Sequence, residues 1–275
     1  MIIKIDMRIA AIVVTYHPRK DELYRNIKSF IEDVDTVLIW RNSDDDLFYL
    51  SEWGDKIHFI GNKNNEYIAK PLNSALSWCV ENRYDYLLTM DQDSVWEDFH
   101  GFISYVRESL SDEVAIYAPN VNRTLIKSTL DVAEVESVIT SGSLVKVTIG
   151  KEIGGFNEAY KIYWVDGEFC YRARSRGYKV LVLPQFSLDH KLGRQTKTLF
   201  GYSTSNYSSQ VYYFMFRNMY WMHKEHGQKA VSIKCIIYTS LYNIRGIILG
   251  ESNKLEKLTS IVKGTLVGIF KREEK

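Results

Sequence analysis

Leu87-Leu88-Thr89-Met90-Asp91-Gln92-Asp93-Ser94 is an apolar run that turns polar at a single step. Residues 86–90 read as a short buried strand, and the polar run starts where that strand ends. In extended backbone, residues two apart point the same way, so Asp91 and Asp93 are expected to present two carboxylates on one side. The C-terminal edge of the strands in an open α/β sheet is where ligands bind. Two hard oxygen ligands at that edge suit Mg²⁺ or Mn²⁺ held together with a substrate's phosphates. The triplet alone is weak evidence. With 34 acidic residues in 275, about four acidic-x-acidic triplets arise by chance.

Upstream, residues 9–15 (IAAIVVT) are continuously apolar and rich in β-branched types, as expected of a strand buried on both faces. Tyr16-His17-Pro18 ends that run. Leu23, Ile27, Phe30, Ile31 and Val34 then recur at helical spacing, with Asp21 placed to cap. Residues 37–40 and 57–60 read as two further strands, each followed by a polar loop. Ile68, Leu72, Ala75, Leu76 and Val80 predict a second helix, with Pro71 tolerable in its first turn. This alternation predicts right-handed βαβ units and a parallel sheet. No glycine follows the first strand and no GK[ST] phosphate loop is present, so a nucleotide is not held by either of those devices.

Downstream the pattern is mixed. Phe102, Ile103, Val106 and Leu110 mark a helix, and residues 114–118 a strand. Residues 135–147 read as strand–turn–strand around Ser141-Gly142-Ser143. Gly154-Gly155-Phe156 is a turn, residues 166–176 a helix closed by Gly177, and residues 179–183 a strand. The aromatic stretch Tyr212-Tyr213-Phe214-Met215-Phe216 reads as a core helix.

Composition is that of an ordinary soluble globule, and a formal charge of +1 gives no reason to expect nucleic acid. Cys79, Cys170 and Cys235 are odd in number and widely spaced, which suggests a reducing compartment and neither a disulfide framework nor a zinc site. The apolar start is broken by Lys4, Asp6 and Arg8 and lacks a small-residue cleavage site, and no apolar run reaches membrane-spanning length. A cytoplasmic protein is expected.

In order and spacing, these segments resemble glycosyltransferase family 2, the inverting nucleotide-sugar enzymes of the GT-A fold, and within it the bacterial rhamnosyltransferase-like enzymes. The resemblance covers roughly residues 8–222. It rests on Val13-Val14-Thr15-Tyr16, Asn42-Ser43, Asn65 with Ile68-Ala69 and Asn73, Asp91-Gln92-Asp93-Ser94 and Ser141-Gly142. It continues through Gly154-Gly155-Phe156, Val165-Asp166-Gly167-Glu168, His190 with Gly193, and Arg217-Asn218. It implies an α/β GT-A domain, Rossmann-like and three-layered, over residues 1–227, with a helical C-terminal appendage over 228–275.

The resemblance also implies roles. Thr15 and Tyr16 would border the nucleotide, joined by Asn42, Asp44 and Asn65. Asp91 and Asp93 match the family's DxD motif, and His190 a histidine that approaches the metal or diphosphate. Arg217 matches a basic position beside the diphosphate. Ser141, Gly142 and Trp164 fall on the acceptor or sugar side, together with Glu168. Asp166 matches the catalytic base, with Glu168 its rival should the register slip by two. The implied partners are a dTDP- or UDP-sugar and a saccharide or lipid-linked acceptor in bacterial surface-polysaccharide assembly, with Mg²⁺ or Mn²⁺ as cofactor. Two positions depart from the family: Arg41 stands where an Asp usually reads the base, with Asp44 or Asp45 as substitutes, and Tyr67 where glycine is frequent.

The chemistry calls for these residue types. Displacement at an anomeric carbon needs a deprotonated acceptor hydroxyl, and a carboxylate can take that proton. The leaving nucleoside diphosphate gathers charge that a cation or an Arg stabilises. A sugar-phosphate nucleotidyltransferase shares the sheet and carboxylates but would want a glycine-rich loop where Thr15-Tyr16-His17-Pro18 stands. A non-catalytic saccharide-binding or scaffold protein is the third reading. The tail from residue 228 carries nine Lys or Arg against four Glu, with apolar residues at helical spacing. It is expected either to lie on an anionic membrane surface or to pack on the catalytic domain or on a second copy of the chain.

Overall fold

The computed structural model describes residues 7–124, 131–191, 196–197, 201 and 203–271. Gly193, Arg272 and Lys275, each named above or counted in the tail, lie outside them. The chain divides into two compact units. The first comprises Met1–Asn157 and Phe169–His190, the second Glu158–Glu168 and Lys191–Lys275.

The first unit opens with β1 (Ile9–Thr15), α1 (Lys20–Lys28), β2 (Thr36–Arg41), β3 (Ile57–Ile60), α2 (Ala69–Glu81) and β4 (Tyr86–Asp91). It continues with β5 (Val95–Trp96), α3 (Phe99–Glu108), β6 (Val114–Val121), β7 (Ala133–Glu134), β8 (Ser143–Lys146) and α4 (Val147–Glu152). Helix α5 (Val165–Ser175) leads into β9 (Lys179–Asp189). The sheet order is β3-β2-β1-β4-β8-β6-β9-β5, with β7 also on β9.

The expected parallel sheet holds for its first four strands: β1 pairs β2 and β4 in parallel, and β2 pairs β3 likewise. It fails at β8, which is antiparallel to both β4 and β6. The reason is local. The chain enters β8 through a turn tied to the C-terminal end of β4, where Gly142 N donates to Thr89 O at 2.8 Å. From that end it can only run back. Gly142 sits at φ +81, and a Cβ there would meet Leu188 Cδ2 at 2.8 Å and Pro119 Cγ at 2.9 Å, so the turn needs glycine.

Every residue of β1 is buried, which is why its sequence carries no polar alternation. Leu23 and Ile27 of α1 and Phe99, Phe102 and Val106 of α3 bury their apolar faces in the same cluster as Val13, Ile39 and Leu88. Each such side chain contributes about 1.5–3 kcal/mol.

Three local expectations are corrected. Helix α1 starts two residues earlier than a cap at Asp21 would allow, with Arg19 in the cap position. Asp21 lies in its first turn, 3.6 Å from Arg19 in an exposed pair. The helix also ends at Lys28, so Ile31 belongs to a short 3₁₀ turn (Ile31–Asp33). Residues 135–140 form no strand, and only β8 realises the expected strand–turn–strand. β9 runs well past residue 183, because a register shift between Pro119 and Asn120 of β6 takes up the stretch around Pro184, which has no N–H to pair.

The second unit holds β10 (Thr196–Lys197) and β11 (Ser203–Thr204), an antiparallel pair, then α6 (Ser209–His226), α7 (Ile233–Gly250) and α8 (Lys254–Phe270). Ser208 and Ser232 cap α6 and α7, accepting from Val211 N at 3.3 Å and Cys235 N at 3.1 Å. The boundary expected after residue 227 falls inside this unit. Helix α8 packs along α6, because Gly264 and Gly268 leave room for backbone: a Cβ at 264 would stand 2.3 Å from Tyr213 O, and one at 268 would stand 2.8 Å from Arg217 O. The aromatic stretch 212–216 is buried core of α6, as its periodicity suggested, with Tyr213 half-buried.

Candidate functional site

In the first unit, the C-terminal ends of β1, β2 and β4 form one edge, with Val14 opposite Asp91 and Thr15 opposite Arg41. Thr15 is buried and spends its hydroxyl on Trp40 O at 2.9 Å, so it joins strands instead of facing a ligand. Tyr16 is half-exposed at the edge. Its backbone is bracketed by Gln92, whose Oε1 accepts from Tyr16 N at 2.7 Å and whose Nε2 donates to Tyr16 O at 3.2 Å. The residue between the two aspartates thus ties β4 to β1.

Asn42 is buried and organises the loops. Its Oδ1 accepts from Trp40 Nε1 at 3.0 Å and Glu66 N at 2.9 Å, and its Nδ2 donates to Tyr67 O at 2.8 Å. Tyr67 sits at φ +61, a left-handed position where glycine would be unstrained, and the Asn42 amide holds the carbonyl there. Asn65 accepts from Tyr67 N at 3.0 Å, closing an Asx turn. Asp44 is exposed and pairs with Lys63 at 2.5 Å. The Lys63 hydrogen bond and charge hold its carboxyl below the ordinary range.

Asp91 is the last residue of β4, but the extended geometry assumed for Asp93 does not continue to it. Ser94 N returns to Asp91 O at 3.4 Å, closing a turn over 91–94. Asn26 of α1, fully buried, fixes that turn by donating to Asp91 O at 2.9 Å and Ser94 O at 2.5 Å. His190 follows β9. Asn122 grips its backbone from both sides, His190 N donating to Asn122 Oδ1 at 2.8 Å and Asn122 Nδ2 to His190 O at 2.7 Å. The ring's Nδ1 lies 2.9 Å from Ser94 Oγ and 3.8 Å from an Asp91 carboxylate oxygen. Ser141 Oγ donates to Ser94 Oγ at 2.7 Å and accepts from Asp91 N at 3.1 Å. Asp91, Ser94, Ser141 and His190, drawn from three separate segments, therefore form one connected polar cluster.

Among the described residues no three His, Cys, Asp or Glu side chains form a metal-holding group. One or two carboxylates completed by substrate phosphates, the usual arrangement for Mg²⁺, is compatible with a one-third-exposed Asp91 carboxylate beside His190.

In the second unit, residues 158–168 carry Trp164, Asp166 and Glu168. Lys161, Tyr163 and Trp164 all have positive φ, near +59, +68 and +68. The backbone is held by α6: Asn218 Nδ2 donates to the carbonyls of Tyr160, Ile162 and Tyr163 at 2.8, 2.9 and 2.7 Å. Arg217 is buried, not presented to solvent. Its guanidinium donates to Ala159 O at 2.5 Å and to Asn218 Oδ1 at 2.9 Å, and lies 4.1 Å over the Trp221 ring. Asp166 opens α5 and accepts from Gly167 N at 2.8 Å, with intermediate exposure. Glu168 is 2% exposed and stands 3.5 Å from His226 Nε2.

No protein-family model matches the chain. The dTDP-rhamnosyl transferase RfbF of Shigella flexneri is 25% identical over 284 residues, covering 95% of each chain. Among solved structures, residues 1–349 of S. aureus TarS, in complex with UDP-GlcNAc, align with a TM-score of 0.60 at 14% identity, over 96% of this chain and 82% of that one. The chain is a glycosyltransferase of the GT-A fold. The mannosyltransferase PcManGT of Pyrobaculum calidifontis, solved with GDP-Man and Mn²⁺, gives a TM-score of 0.60 at 14% identity, over 94% and 73% of the two chains. GalNAc-T7 also gives 0.60, at 10% identity, and there the alignment spans only half of the longer chain.

For a GT-A chain, the residues that sequence reasoning missed are the amides. Asn26, Gln92 and Asn122 were given no role, and Asn218 was noted only as part of a motif. One signal was available: Asn26 interrupts the apolar stripe of Leu23, Ile27 and Phe30, and a buried amide must find partners.

Proposed function

We propose that this glycosyltransferase transfers a sugar from a nucleoside diphosphate to a saccharide or lipid-linked saccharide acceptor, with inversion, in bacterial surface-polysaccharide synthesis. Rhamnose from a dTDP donor is the first assignment, supported by the 25% identical Shigella relative, a dTDP-rhamnosyl transferase, and a UDP-hexose is the second. The observation that carries the reading is the cluster of Asp91, Ser94, Ser141 and His190 at the sheet edge where α/β folds bind ligands.

Asp91, Asp93 and His190 are the residues that would hold Mg²⁺ or Mn²⁺, which supplies charge to stabilise the departing diphosphate. Ser141 and Ser94 fix the directions of Asp91 and His190. Tyr16, half-exposed at the end of β1, borders the nucleotide, and the acidic loop carrying Asp44 and Asp45 meets the base. Asp166 takes the proton of the acceptor hydroxyl as the oxygen bonds to the anomeric carbon and the bond to the diphosphate breaks. Glu168, buried against His226, holds the start of α5. Arg217 shapes the second unit and makes no diphosphate contact.

A thermal-shift panel of nucleoside diphosphates and nucleotide sugars with Mn²⁺ tests this, because a ligand that binds the native state raises apparent stability by mass action. dTDP or UDP and their sugars should raise Tm, and a radiolabelled sugar should then pass to an acceptor. No shift with any nucleotide would overturn the reading.

A further inference from the structure

Among the described residues, fifteen large hydrophobic side chains are exposed, and eleven of these lie on α7 and α8. Single exposed apolar residues are ordinary, but a contiguous set marks an interaction surface. Each helix resolves into two faces. On α7, Ile236, Asn243 and Ile247 are buried, while Ile237, Leu241 and Ile248 point outward at 54%, 66% and 50% exposure. Their spacing of four and seven places them on one stripe. On α8, Ile261, Gly264 and Gly268 turn inward toward α6, and Leu255, Val262 and Leu266, at 82%, 56% and 49%, form the opposite stripe. The buried faces already stabilise the fold, so the outward stripes are surplus to it.

The charge around the stripes identifies the occupant. Lys234 and Arg245 lie on the exposed side of α7, and Lys263 on that of α8, with Lys229, Lys254 and Lys271 at the helix ends, all exposed. The one exposed acid among the described residues of 228–271 is Glu256, which accepts from Ser209 Oγ at 2.5 Å. The remaining pair, Lys257 with Glu251, is buried and self-neutralising. A second copy presenting the same stripes would set these cations against one another, whereas an anionic lipid surface complements both the charge and the apolar side chains. Among the described residues no helix is long and apolar enough to cross a membrane, so the contact is one of lying on the surface.

We infer that the exposed stripes of α7 and α8 dock the protein on an anionic lipid bilayer. The inference does not depend on which donor or acceptor the enzyme uses. It is tested by cosedimentation of the full chain with phosphatidylcholine vesicles, with and without phosphatidylglycerol, at low and high salt. Binding should require phosphatidylglycerol and fall as salt rises, since screening shortens the reach of surface charge. Leu241→Ser with Leu266→Ser should abolish retention. Lys234→Ala with Arg245→Ala should weaken it by about fivefold per cation removed. These positions are exposed, and an unchanged circular dichroism melt serves as the folding control. Two results would overturn the inference: full-length protein that stays in the supernatant at low salt, or a stable dimer in light scattering that the Leu241→Ser and Leu266→Ser pair dissociates.

Discussion

The side-chain amide of Asn218 donates to the main-chain carbonyl of Tyr163 at 2.7 Å, three residues before Asp166. The same nitrogen reaches the carbonyls of Tyr160 and Ile162. Three non-glycine residues of this segment are left-handed, each at a cost of about 1–2 kcal/mol. One fully buried amide therefore holds a backbone that would otherwise relax, and Asp166 inherits its position from it.

Asn218→Ala should accordingly destabilise the protein by about 2–3 kcal/mol, since buried carbonyls lose their donor. Turnover should fall as well, with donor affinity less affected. Urea unfolding measures the first effect, and kcat against KM the second. A loss below about 0.5 kcal/mol, the size of an ordinary surface substitution, would mean the segment holds itself.

The two carboxylates that open α5 separate by environment. Asp166 is partly exposed, whereas Glu168 is buried beside His226. Asp166→Asn is expected to lower turnover by about 10²–10⁴-fold while donor binding survives, as for loss of a general base. Glu168→Gln should chiefly lower Tm. An inactive but stable Glu168→Gln, with an active Asp166→Asn, would reverse the assignment.

For the metal, Asp93→Asn should abolish transfer with the melting temperature unchanged, because Asp93 lies in a turn fixed by Asn26 and not by its own carboxylate. His190→Ala should weaken Mn²⁺ binding, raising the concentration needed for half-maximal rate. Transfer that proceeds at full rate in EDTA would remove the ion from the mechanism altogether.

Much of the first unit was legible because buried parallel strands are continuous apolar runs: residues 9–15, 37–40, 57–60 and 86–90 all fall within strands. Strand direction was not legible. The reversal at β8 is set by Gly142 meeting Thr89, a contact between residues far apart in sequence. The position of Asp91 at a strand end could be read, but the direction of Asp93 could not, since period two stops where the turn begins. The resemblance matched Arg217 to a basic position beside the diphosphate, whereas in the structure its side chain is buried. Nothing in a linear sequence says that carbonyls of residues 159–160 will surround it. The boundary after residue 227 followed the extent of the resemblance, and α8 packs along α6 across it because Gly264 and Gly268 admit backbone there.

A last prediction concerns acid. Glu251, between α7 and α8, has a fully buried carboxylate that accepts from Lys257 Nζ at 2.8 Å, from Tyr212 Oη at 2.7 Å and from Thr204 Oγ1. Burial by itself pushes this carboxyl upward, but the three hydrogen bonds and the Lys257 charge outweigh it and hold the group below its ordinary value of 4.5. A carboxylate depressed in the native state contributes stability that is fully present above its unfolded value and is lost as pH falls through the native one. The wild-type urea midpoint should therefore drop between pH 4.5 and more acid conditions. Glu251→Gln should be less stable at pH 7 by about 3–5 kcal/mol, because Lys257 is left buried without a counter-charge. It should also lose stability less steeply on acidification. Equal slopes for the two proteins below pH 4.5 would show that other carboxylates, and not this one, set the acid limit of the fold.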